Sequence, residues 1–163
     1  MQMPPPVRVA ASVVKSTGNT AYAVDGVIAS STVGGLNLVF ANVVSAVGKT
    51  GVLNEPRLTV NSNMATNPNV ELWVFSASFA HPGDYANWTP TTAVLANLVA
   101  VAAFPTAYVA ATASGSSGNI YLPGAWIGNS RFQCNATDVN LYGLAKSKNT
   151  HNPTTAEEYS FSF

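Results

Sequence analysis

The chain has 163 residues, 47% of them hydrophobic and only 9% charged, where an average soluble protein carries roughly 25% charged residues. Seven basic and seven acidic residues cancel to a formal net charge of zero. That balance argues against a basic stripe for nucleic acid and removes the repulsion that keeps free monomers apart.

The first six residues, MQMPPP, cannot join a strand ladder, and their prolines favour a stiff polyproline arm. From Val7 to Phe163 the pattern is one domain of short strand-like runs broken by turn residues. VRVAASVV (7–14), TAYAVDGVIAS (20–30), LNLVFANVVSAV (36–47) and RLTVNS (57–62) come first. VELWVF (70–75) is dense enough to be a strand covered on both faces. PTTAVLANLVAVAAF (90–104) reads as a short helical turn near 92–98, with Thr91 or Thr92 as N-cap, running into a strand. TAYVAATAS (106–114), NIYL (119–122), AWIG (125–128) and DVNLYGLAKS (138–147) follow. In the closing run EEYSFSF, Tyr159, Phe161 and Phe163 share one face and Glu158, Ser160 and Ser162 the other, the alternation of a half-buried strand. Eight to ten strands with little helix predict an all-β fold, an antiparallel β-sandwich or jelly roll.

Few residues could do chemistry. HPGDYANWTP (81–90) holds one of the two histidines, and its His81 and Asp84 could form an acid–base pair. No nucleophile elbow accompanies them, and His-Pro-Gly reads more simply as a turn, with Pro82 fixing φ and Gly83 permitting positive φ. The histidines, the lone Cys134 and the scattered acids have no metal-ligand spacing, and no cofactor motif is present. Cys134 reads as a small buried apolar side chain. Glu157 and Glu158, adjacent in a strand, face opposite sides. The longest apolar segment, 93–104, is too short for a membrane helix, and the N-terminus lacks a signal-peptide pattern.

A sugar-binding sandwich would present aromatic platforms to host glycans. Trp73 reads as core, Trp126 as partly exposed, and Trp88 as a platform or as a plug holding its loop. The plug is the stronger reading, because an ordered loop needs an anchor.

Several segments together resemble a group of tailed-bacteriophage virion proteins. AYAVDGVIAS (21–30) is similar to that group's early strand, and LNLVFANVVSAVGKTGVL (36–53) with NVELWVF (69–75) to its next pair. DYANWTPTTAVLANLV (84–99) carries an aromatic before Thr-Pro, and VNLYGLAKSKNTHNPTTAEEYSFSF (139–163) resembles the group's closing strands. The resemblance covers roughly two thirds of the chain and implies a non-enzymatic capsid decoration, or cement, protein. Such a protein is a homotrimer on the capsid exterior, bound to the major capsid protein and made in the host cytoplasm. Its expected contact residues are Met3, Pro4, Pro5, Pro6 and Arg8 of the arm region, with Tyr85 and Trp88. A tail or baseplate role and a carbohydrate-binding module are the alternatives.

Overall fold

The structure is a computed structural model that describes residues 8–15, 20–30, 35, 37–61, 68–105, 110–111, 119–153 and 156–163. The arm over residues 1–6, with Met3, Pro4, Pro5 and Pro6, lies outside the described residues.

The strands in chain order are β1 (Ala10–Val14), β2 (Val27–Ile28), β3 (Leu38–Phe40), β4 (Thr50–Val52), β5 (Arg57–Asn61) and β6 (Val70–Phe75). After the single-turn helix α1 (Thr92–Leu95) come β7 (Leu98–Phe104), β8 (Ala110–Ala111), β9 (Asn119–Pro123) and β10 (Ala125–Ile127). β11 (Arg131–Gln133), β12 (Leu141–Ser147) and β13 (Glu158–Ser162) complete the described elements. One sheet has the order β1-β13-β5-β9-β8, and the second β10-β7-β6-β12-β2, with β3 also pairing with β12. β4 and β11 form a separate ribbon, and every pairing is antiparallel.

The two sheets pack face to face through the side chains that the alternation turns inward. Leu58 and Val60 of β5, Leu122 of β9, and Tyr159 and Phe161 of β13 meet Leu72 and Val74 of β6, Ala100, Ala102 and Phe104 of β7, and Leu141 of β12. Phe104 and Phe161 touch across the interface with ring centroids 5.9 Å apart, and Phe40 meets Phe163 at 4.6 Å. This is the all-β sandwich expected from the strand pattern. Its thirteen described strands exceed the expected eight to ten, because six of them are only two or three residues long, too short to show a period.

VELWVF is covered on both faces, as its density suggested. Val70, Leu72 and Val74 enter the main core, while Phe75 and the half-buried Trp73 enter a second cluster with Trp88, Phe79 and Leu144. The register between β6 and β7 slips at Val74 and Phe75, a bulge where α1 hands over to β7. Thr91 is the N-cap of α1, its hydroxyl accepting from the Val94 N–H at 3.4 Å. Gly143 lies where β12 is squeezed between neighbours, since a Cβ there would come within 2.9 Å of the Phe40 ring. Cys134 is a free, buried thiol, pushed up from its usual pKa by burial.

Candidate functional site

The strand period continues past the end of β1. Val9 and Val13 face inward, and the same parity carries Lys15 into the interior. At the other end of the chain, Tyr159, Phe161 and Phe163 face inward, so Glu157 does too. The β1–β13 register pairs Val13 with Tyr159, and one step of two residues further sets Lys15 opposite Glu157. The Lys15 N–H donates to the Glu157 carbonyl at 2.8 Å, and the Ala156 N–H to the Lys15 carbonyl at 3.0 Å. Two charged residues thus point side by side into a core that is 1% exposed at each of them.

The third member comes from the 81–90 loop. This loop docks on β2 through its backbone: Tyr85 N–H donates to the Val27 carbonyl at 2.9 Å, and Val27 N–H to the Ala86 carbonyl at 3.0 Å. The residue that turns the chain is Tyr85, at φ 66°, where the sequence pointed to Gly83. Positive φ is unfavourable for a bulky side chain. Here the two backbone bonds hold it, and the Tyr85 ring stacks on Tyr22 at 4.6 Å.

The turn delivers Asp84 to the interior, 8% exposed. Its Oδ1 accepts from the Tyr22 hydroxyl at 2.7 Å and from the Ala29 N–H at 3.0 Å. Its Oδ2 contacts the Lys15 ammonium in an ion pair. Lys15 Nζ also lies 4.2 Å from the Tyr85 ring centroid and 4.8 Å from that of Tyr22, and 3.4 Å from the Ala29 carbonyl. Burial pushes the Lys15 ammonium down to about 8 against the opposing pull of Glu157.

A further polar chain adjoins the pair. The Ser147 hydroxyl donates to the Asn149 carbonyl at 2.6 Å and lies 3.1 Å from His151 Nδ1. His151 Nε2 is 3.0 Å from the Tyr159 hydroxyl, which also hydrogen-bonds Glu157. Burial raises Tyr22 and Tyr159 far above the phenol range, so both are neutral donors.

His151 has its pKa lowered from 6.5, first by burial and then by Lys15, against the opposing effects of the Asn149 carbonyl and Glu157. Below the free value the unfolded chain takes up a proton that the fold resists. Its contribution to stability is therefore complete above pH 6.5 and is lost as pH falls through the folded pKa. The melting temperature is expected to drop between pH 7.5 and 5.5, and His151→Gln to flatten that dependence from a lower starting point. An equal slope in the variant would assign the effect elsewhere.

The remaining sequence-derived residues fall as follows. Asp84 is committed to Lys15, Tyr22 and Ala29, and His81 to its own neighbours, with Nδ1 2.6 Å from the Pro82 carbonyl and its ring packed over Gly35. His81 and Asp84 therefore do not pair, in keeping with the reading of His-Pro-Gly as a turn. Trp88 is 7% exposed, stacked on Phe79 at 5.5 Å and edge-on to Trp73 and Phe75 at 6.1 Å each, so it plugs the loop onto the second sheet. Tyr85 is half-buried and Arg8 exposed. Trp126 is half-buried on β10, its Nε1 donating to the Asn54 carbonyl at 2.6 Å and its ring against Phe163. Lys146 and Lys148, the only neighbouring cations in the sequence, both face Asp25, at 3.3 and 2.9 Å.

No local motif marks Lys15 and Glu157 as a pair, although extending the strand parity by one step past Val13 and back from Tyr159 turns each of them inward. Among the described residues no group of three or more His, Cys, Asp and Glu is arranged to hold a metal. No protein-family model, curated protein or solved structure matches this chain.

Proposed function

We propose that this chain is a non-enzymatic virion protein that binds the outside of a phage capsid and stabilises the shell. The observation that carries the reading is the fate of the 81–90 loop. Its acid is consumed in an internal ion pair and its tryptophan in an internal aromatic cluster, so the loop is an anchor that makes the sandwich rigid. The segments resembling phage virion proteins supply β2, β3, β4, β6, β12 and β13, which include the centre of the second sheet and the strand that meets β1. The surface is poor in charge, and Val39, Val47, Val52 and Ile127 are exposed large hydrophobics suited to contact with other protein.

The mechanism is mass action. A protein that binds only the closed shell raises the free energy of opening it, and a homotrimer with three equivalent patches adds avidity over one. The proline-rich arm serves as a clasp, since its limited freedom lowers the entropy lost on ordering.

The test is the copy number relative to the major capsid protein in purified particles. A simple fraction of the capsid subunits, constant between preparations, is expected. A few copies per particle would move the protein to the tail or baseplate, and absence from particles would end the virion reading. Deleting residues 1–6 is expected to weaken retention on heads while leaving the circular dichroism and melting of the free protein unchanged. Full retention would remove the arm from the interface.

A further inference from the structure

We propose that Lys15 and Asp84 condense spontaneously into an isopeptide bond, with Glu157 as the proton carrier. This inference rests on the buried cluster alone and holds whatever the chain's partner is.

Three requirements for amide formation between side chains meet at this point. The amine must touch the carboxyl group, and Lys15 Nζ is in contact with Asp84 Oδ2, both side chains being at most 4% exposed. The carbonyl must be polarised, and Oδ1 accepts two hydrogen bonds, from the Tyr22 hydroxyl and the Ala29 N–H. These two donors are set to hold the oxyanion of a tetrahedral intermediate. A base must stand beside the nitrogen. Glu157 is the cross-strand neighbour of Lys15, and such neighbours have Cβ atoms about 4.5–5.5 Å apart.

The surroundings favour the neutral reactants. Tyr22 and Tyr85 cover the pair with aromatic surface, and an ion pair in so dry a site gains little over amine and acid. The lowered Lys15 pKa supplies unprotonated amine near neutral pH.

The step balances without any further reactant. Lys15 first gives a proton to Asp84, leaving an amine and a carboxylic acid. The Nζ lone pair attacks Cγ, and the carbonyl π pair moves onto Oδ1. Glu157 then takes a proton from the nitrogen and passes it to the Oδ2 hydroxyl, which departs as water while the carbonyl re-forms. One ammonium and one carboxylate become one amide and one water, with no change in net charge and no redox partner. Held reactants reach effective concentrations of about 10⁵–10⁸ M, which offsets the preference of free amines and acids for hydrolysis in water. The product ties the end of β1, at the sheet edge, to the loop docked on β2 of the opposite sheet.

The experiment is the intact mass of the purified full chain after denaturation. The wild type is expected to be lighter than its sequence by one water, with a branched peptide joining Lys15 to Asp84 after proteolysis. Lys15→Arg is expected at its full sequence mass. Glu157→Gln is expected to form the bond about 10²–10⁴-fold more slowly, with its circular dichroism spectrum retained. Asp84→Asn would release ammonia instead of water and reach the same product mass as the wild type.

A wild-type mass equal to that of the sequence, with no branched peptide, overturns the proposal whatever the variants do. So does a water loss that persists in Lys15→Arg, which would place the dehydration elsewhere, as in a succinimide at Asp25-Gly26. Bond formation at the wild-type rate in Glu157→Gln overturns the role given to Glu157.

Discussion

Asp84→Ala is expected to lower the unfolding free energy by about 3–5 kcal/mol through lost contacts alone. The substitution leaves the Lys15 ammonium in the interior without the carboxylate that touches it, and leaves the Tyr22 hydroxyl and Ala29 N–H short of their acceptor. It also releases the turn at Tyr85, whose positive φ is held by the same docked loop. If Lys15 and Asp84 are joined covalently, the variant additionally loses a cross-link closing a loop of roughly 70 residues, a constraint of about 4 kcal/mol on chain-entropy reckoning.

The two contributions separate experimentally. Combining Asp84→Ala with Lys15→Met removes the stranded charge and puts apolar volume in its place, so it is expected to recover part of the contact loss, with a coupling of about 1–3 kcal/mol. It recovers none of the loss due to a cross-link. Denaturant midpoints for the two single variants and the double variant decide the matter. A cost below about 1 kcal/mol for Asp84→Ala would mean that the loop is not fastened through its carboxylate.

The sandwich was legible because its longer strands keep strict periods. EEYSFSF buries Tyr159, Phe161 and Phe163 and leaves the alternate residues partly exposed, and VELWVF is apolar on both faces because both are covered. The helical turn was legible from Thr91 and the spacing after it. Elements of two or three residues, such as β2, β4 and β11, carry no period and are set by the neighbours they pair with.

The cluster was legible in part. Parity alone turns Lys15 and Glu157 inward, since each lies two residues from a buried aromatic or aliphatic position, Val13 and Tyr159. What no local pattern carries is that β1 pairs with β13, at opposite ends of the chain, or that a loop between them brings Asp84 to the same point. Those contacts depend on sheet order. The inference that placed the positive φ at Gly83 failed for a related reason. Glycine permits that conformation anywhere, whereas the docking of Tyr85 on Val27 and Tyr22 compels it at one residue.

Trp88→Ala is expected to cost about 3–5 kcal/mol, the range for emptying a buried large aromatic site. The indole contacts Phe79 face to face and Trp73 and Phe75 through its edge. Behind them Val27, Ala29 and Leu144 close the second cluster. Trp73, Phe75 and Leu144 cannot move far, because they belong to paired strands at the centre of the second sheet. The cavity would therefore persist, and its volume adds to the lost transfer energy.

Trp88→Phe keeps much of the stacking on Phe79 and is expected to cost less than half as much. The comparison also separates the plug from a binding platform. A platform tryptophan lost to alanine weakens ligand binding and leaves the melting temperature in place, whereas this one is expected to lower the melting temperature whether or not a partner is present. Its neighbour across the loop sharpens the test, because Asp84 and Trp88 fasten the same ten residues to different parts of the sandwich, the first to β1 and the second to β6. Once either fastening is cut, the loop docks less firmly and the other holds less. The double variant Asp84→Ala/Trp88→Ala is accordingly expected to lose less than the sum of the two single losses. Strict additivity would mean that the two anchors act on independent segments and that the loop is not one cooperative unit.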